Sequence, residues 1–184
     1  MRSMLKGMLE EKRERILKRW LELILETYPA DTRNFLRNHR NQFTNPVGHA
    51  LVQGLSALYE QLSKGEESPG GHEAVERLVR IRAVQDMPPS QALGFIPALK
   101  EILREEMGSF MVHDPERIRE LEAGVDRMAL MAFDVYSRCR EQLYEIRVRE
   151  LRSRTERLLK MAGLVYELAE EHGEVGSTEG LPEG

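Results

Sequence analysis

One cysteine, Cys139, is the chain's whole stock of thiol, so an internal disulfide and a thiolate metal cage are both excluded. Aromatic residues are only 6% of the chain. No apolar run approaches the roughly 20 residues that a membrane-crossing helix needs. The start, Met1-Arg2-Ser3-Met4-Leu5-Lys6, leads straight into charge and has no apolar stretch of the signal-peptide kind. Neither sign of charge dominates, since 27 basic residues face 31 acidic ones for a net charge of −4. No global field therefore favours nucleic acid. The expectation is a cytoplasmic protein with no membrane and no nucleic-acid partner.

What is present is helical spacing. Strand alternation is nearly absent along the 184 residues, and charged residues reach 32%. The expected fold class is all-α: a helical bundle with a very long C-terminal helix. The spacing predicts a first helix from about Leu5 to Thr27, with Ile16, Trp20, Leu23 and Ile24 on one face and Pro29 beyond its end. A short piece carrying Phe35 and Leu36 follows. Asn45-Pro46, Pro88-Pro89 and Asp114-Pro115 each place proline at a first helical position, with Asn45 and Asp114 as side-chain caps.

The helix after Asn45 should bury Val47, Leu51, Leu55, Leu58 and Leu62. Lys64 to Gly71 reads as a loop, and helices over about His72–Asp86 and Pro89–Met107 follow. The second of these carries Ala92, Phe95, Ile96, Leu99, Ile102 and Leu103 on one stripe. Pro97 inside it predicts a kink near Leu93-Gly94.

From Pro115 to about His172 there is no proline. An unbroken helix of that length spans roughly 85 Å, against a radius of gyration of about 13 Å for a 100-residue domain. The helix must project or fold back, with Gly124 and Gly163 as candidate breaks. Residues 1–172 are read as one domain, with 141–172 as the candidate projecting helix and 173–184 as a disordered tail. Ile118, Leu121, Val125, Met128, Ala132, Val135 and Cys139 form one apolar seam, which the chain's own helices can cover. Tyr144, Val148, Leu151, Thr155, Leu158, Ala162 and Val165 form a second in a shifted register. Its charged surroundings favour a second subunit as the cover. Tyr144, Val148, Leu151, Leu158 and Val165 are thus the expected dimer or partner interface.

Catalytic chemistry has little support. The five histidines, His39, His49, His72, His113 and His172, form no i,i+4 pair, and each reads first as structural or surface. His49 and His113 are the best of them as metal or haem ligands. No histidine carries the lysine and glycine that follow a phosphotransfer histidine, and His72-Glu73 has no nucleotide-binding loop to feed it. Cys139 lies on the apolar seam as a small hydrophobe. No cofactor, metal or catalytic residue is expected.

Two polar features stand out. Val75, Val79, Arg82 and Asp86 share one helical face, which predicts an internal Arg82–Asp86 ion pair supported by Gln85. The alternative is a small-ligand or haem pocket near Arg82, Gln85 and Gln91, with His49. Residues 138–160 hold a local excess of four positive charges. A solvated face with pairs such as Glu145–Arg149 accounts for these better than a nucleic-acid or membrane surface, because acids interleave and no aromatic platform accompanies them.

Three segments together resemble a known family. They are Phe43-Thr44-Asn45-Pro46-Val47-Gly48; Arg80-Ile81-Arg82-Ala83-Val84-Gln85-Asp86 with Pro89-Ser90-Gln91-Ala92; and Phe133-Asp134-Val135-Tyr136 through Cys139-Arg140-Glu141 to Tyr144-Glu145-Ile146-Arg147. In order and spacing, over about Leu17–Lys160, they resemble the RsbRD N-terminal domain family, named for stressosome RsbT co-antagonists. The resemblance implies a helical sensory or regulatory module, globin-like by analogy, of the kind placed before histidine kinases and STAS proteins. It attaches no catalytic role to the matching positions Asn45, Pro46, Gly48, Arg82, Gln85, Asp86, Ser90, Gln91, Cys139, Arg140 and Arg147. No STAS or kinase segment follows His172, so the expectation is a homodimer that signals by binding a kinase or STAS-type partner.

Overall fold

A computed structural model describes residues 2–38, 43–65, 68–108 and 113–162, and seven helices lie among these described residues. They are α1 (Arg2–Glu26), α2 (Ala30–Asn38), α3 (Pro46–Lys64), α4 (Pro69–Ala83), α5 (Pro89–Leu93), α6 (Phe95–Glu106) and α7 (Pro115–Met161). No strand occurs among the described residues, as the all-α expectation requires. The chain divides into two compact units, Met1–Leu143 and Tyr144–Gly184.

The first unit owes its core to stripes that the sequence already spaces. Ile16, Trp20, Ile24 and Leu25 of α1 are buried, and Leu23 is only partly so. The helix stops because Pro29 cannot continue it, and the Thr27 and Tyr28 N–H groups turn back onto Ile24 and Leu25 at 3.1 Å. On α2, Leu36 faces the core while Phe35 is exposed.

The start of α3 is built as its sequence suggests. Asn45 Oδ1 accepts from the Gly48 N–H at 2.7 Å, and Asn45 Nδ2 donates to the Leu36 carbonyl at 3.0 Å. One buried amide thus caps α3 and ties it to the end of α2. A Cβ at position 48 would lie 2.2 Å from that amide, so the Asn-Pro-Val-Gly run is one packed unit.

Helix α4 starts earlier than its spacing suggests. Ser68 accepts from the Gly71 N–H at 3.1 Å and Pro69 takes the first helical position, so Pro69–Gly71 is helix and not loop. A Cβ at Gly54 would meet Leu78 at 2.6 Å, which marks how closely α3 and α4 approach. The anticipated kink is also present: α5 ends at Leu93, Gly94 intervenes, and α6 begins at Phe95.

In α7, Asp114 caps through Oδ1 to the Arg117 N–H at 3.2 Å. The helix runs through Gly124 without a break. Gly124 instead makes room for α3, since a Cβ there would sit 2.8 Å from Leu62. The other candidate break, Gly163, lies outside the described residues, as do Val165 and the 173–184 tail. All seven residues of the Ile118–Cys139 seam are buried.

Charge joins α1 to the end of α6. Glu106, buried, meets Arg15 at 2.5 Å and Arg19 at 3.0 Å, and its carbonyl accepts from Lys12. Burial alone would raise the Glu106 pKa, but hydrogen bonds from Arg19 and Arg15 outweigh it and hold the carboxyl below its ordinary range. A depressed folded pKa contributes stability that is present above the unfolded value and lost as pH falls through the folded one. Glu106→Gln is expected to cost about 1–2 kcal/mol at neutral pH. Urea titrations down the pH scale should show that gap closing below roughly pH 4.3, the ordinary glutamate value. A gap unchanged down to strong acid would refute the assignment.

Candidate functional site

Two places account for the residues singled out in the sequence. The first is built around Arg82 on the last turn of α4, which is fully buried at 0% exposure. Its Nε donates to the Ala92 carbonyl at 2.7 Å, and its Nη2 donates to the Gln91 carbonyl at 2.8 Å and to Thr27 Oγ1 at 2.9 Å. These carbonyls belong to the last turn of α5, where a helix runs out of its own N–H partners and a cation is favoured. The rings of Tyr28 and Phe95 flank the guanidinium, with centroids 5.4 Å and 5.6 Å from Cζ. Gln91 Nε2 closes the cluster by donating to the Thr27 carbonyl at 3.0 Å.

Burial pulls the Arg82 pKa down, and Tyr28 partly counters that. Arg82 Nη1 and the Tyr28 hydroxyl, both buried, have no hydrogen-bond partner among the described residues.

The expected Arg82–Asp86 ion pair is not formed. Helix α4 ends at Ala83, and Asp86 lies beyond it at φ 59°, so the one-turn spacing that would have aligned the two is lost. Asp86 is exposed and pairs with Arg140 Nη1 at 2.7 Å. Gln85 is also exposed. The structure therefore brings Arg82 and Gln91 together and leaves Gln85 and Asp86 apart from them. Arg82 spends three donors on the Gln91 and Ala92 carbonyls and the Thr27 hydroxyl, and sequence spacing gave no sign of those acceptors.

Tyr136 adds a contact that the sequence reading missed, donating to the Met87 carbonyl at 2.6 Å. Of the histidines, His49 is half-buried, His72 and His113 are exposed, and His39 and His172 fall outside the described residues. Among the described residues no group of three or more His, Cys, Asp or Glu side chains could hold a metal. No helix among them is long and apolar enough to cross a membrane.

The second place is the seam of the second unit. Tyr144, Val148, Leu151 and Leu158 are exposed by 53%, 45%, 61% and 60%, and Thr155 and Ala162 are exposed with them. None of the residues 144–162 is buried. The anticipated Glu145–Arg149 ion pair is absent, because Arg149 Nε reaches only the Glu145 carbonyl at a long 3.4 Å.

Among the described residues, the buried Arg82 is held by hydrogen bonds within the chain, and Tyr144, Val148, Leu151 and Leu158 are left exposed. The family model described as the RsbT co-antagonist protein rsbRD N-terminal domain matches residues 14–151. That is three quarters of the chain, and the chain belongs to this signalling family. No curated protein and no solved structure matches it.

Proposed function

We propose that the chain is a non-catalytic signalling input or adaptor module that acts by pairing the Tyr144–Leu158 seam with a helix of a second polypeptide. The observation that carries this is the exposure of Val148, Leu151 and Leu158 together on one face. A helix gains most of its stability in a protein from packing an amphipathic face, so an apolar stripe left open calls for a partner. Family membership supports the signalling class, and the buried hydrogen-bond network at Arg82 supports a structural reading of that cluster.

The test is light scattering coupled to size exclusion, on the full chain and on a truncation after Leu143. A dimer that becomes monomeric on truncation gives the homodimer expected from the sequence. A full-length monomer assigns the seam to a helix of another protein. The reading fails if Leu151→Glu combined with Leu158→Glu alters neither self-association nor capture of an amphipathic helical peptide.

A further inference from the structure

The charges beside the seam bear on which helix it takes, given the seam reading above. With Val148 and Thr155 at a positions, Tyr144, Leu151 and Leu158 fall at d. The flanking e positions are then Glu145, Arg152 and Leu159, and the g positions are Arg147, Arg154 and Met161. In paired helices the e and g side chains face those of the partner and set its identity and orientation. Here three of the four charged flanks are arginine. Arg147, Arg152 and Arg154 are exposed, and no carboxylate among the described residues pairs with them. Glu150 and Glu156 lie at c and b, on the outer face.

A second copy gains nothing from these flanks. Two copies side by side, parallel and in register, set Arg147 of one beside Arg152 of the other, which offsets Glu145 beside Arg140, a residue already paired with Asp86. Antiparallel copies bring Glu145 beside Arg152, but they also bring Arg147 beside Arg154, and the two effects cancel. An amphipathic helix with glutamate or aspartate at its flanks would meet all three arginines with opposite charge. We infer that the seam docks an apolar helix of a different protein whose flanking positions are acidic.

The experiment uses the full chain and two synthetic helical peptides with the same leucine and valine seam, one carrying Glu at every e and g position and the other Lys. The Glu peptide should bind roughly tenfold more tightly in low salt, and the gap should shrink as salt is raised. Combined Arg147→Glu, Arg152→Glu and Arg154→Glu changes should reverse the preference while leaving the fold intact, since all three side chains are exposed.

Equal binding of the two peptides would overturn the inference and leave helix pairing standing. So would self-association that outcompetes the Glu peptide. A mixed-sequence DNA duplex bound more tightly than the Glu peptide through the same arginines would overturn it too. If neither peptide binds and Leu151→Glu with Leu158→Glu changes nothing, the seam reading itself is lost.

Discussion

Replacing Arg82 by methionine is expected to lower the stability of the fold by about 3 kcal/mol, a large share of the 5–15 kcal/mol that holds a typical domain together. Two effects oppose each other. Removing a buried guanidinium recovers its desolvation cost, and exchanging buried ion pairs for apolar residues can be neutral or even stabilising. In those exchanges both charged partners are removed together. At Arg82 the partners are the backbone carbonyls of Gln91 and Ala92, which no substitution at position 82 removes. Each buried acceptor left unpaired costs about 1–3 kcal/mol, so the loss wins.

Arg82→Lys keeps the charge but offers a single nitrogen to acceptors spread over three directions, and about half the loss should remain. Urea unfolding followed by circular dichroism, with an unchanged slope, measures both variants. Wild-type stability in Arg82→Met would show that desolvation dominates and that the α5 carbonyls find other donors.

Trp20→Ala should cost about 3–5 kcal/mol. The indole is fully buried, donates Nε1 to the Phe95 carbonyl at 2.7 Å, and packs near the Phe95 ring at a centroid distance of 6.1 Å. Trp20→Phe keeps most of the volume and loses the donor, so about 1–2 kcal/mol is expected from the orphaned carbonyl. Thermal unfolding separates the hydrogen bond from the packing. Trp20 and Arg82 grip opposite sides of the α5–α6 break, so Trp20→Phe with Arg82→Met should fall short of additivity. Strict additivity would mean that the two act on independent parts of the bundle.

What could be read in advance follows the chemistry. Asn45-Pro46, Asp114-Pro115 and the Pro97 kink were legible because caps and missing N–H groups act within one turn. The start of α4 carries the same kind of signal in Ser68-Pro69, but Gly70 and Gly71 behind it read as loop. Gly124 was misread as a break because its role is spatial: it lets Leu62 of α3 come close. The Arg82–Asp86 pair failed for a related reason. Spacing assumes a helix that continues, and this one ends at Ala83 before the chain enters φ 59° at Asp86. Backbone carbonyls supplied by α5 have no side-chain signature, so the partners of Arg82 could only emerge from the fold. The seam, by contrast, was legible as a spacing of Tyr144, Val148, Leu151 and Leu158, because helical periodicity is local, and all four are exposed among the described residues.

The chain contains one tryptophan, and it sits with its N–H on the carbonyl at the α5–α6 break. The molecule thus carries its own optical gauge. Indole emission responds to hydrogen bonding and local polarity, so a displacement of that break would be read as a shift in the colour of a single unlabelled fluorophore. Rearrangement in the first unit can therefore be followed without a label.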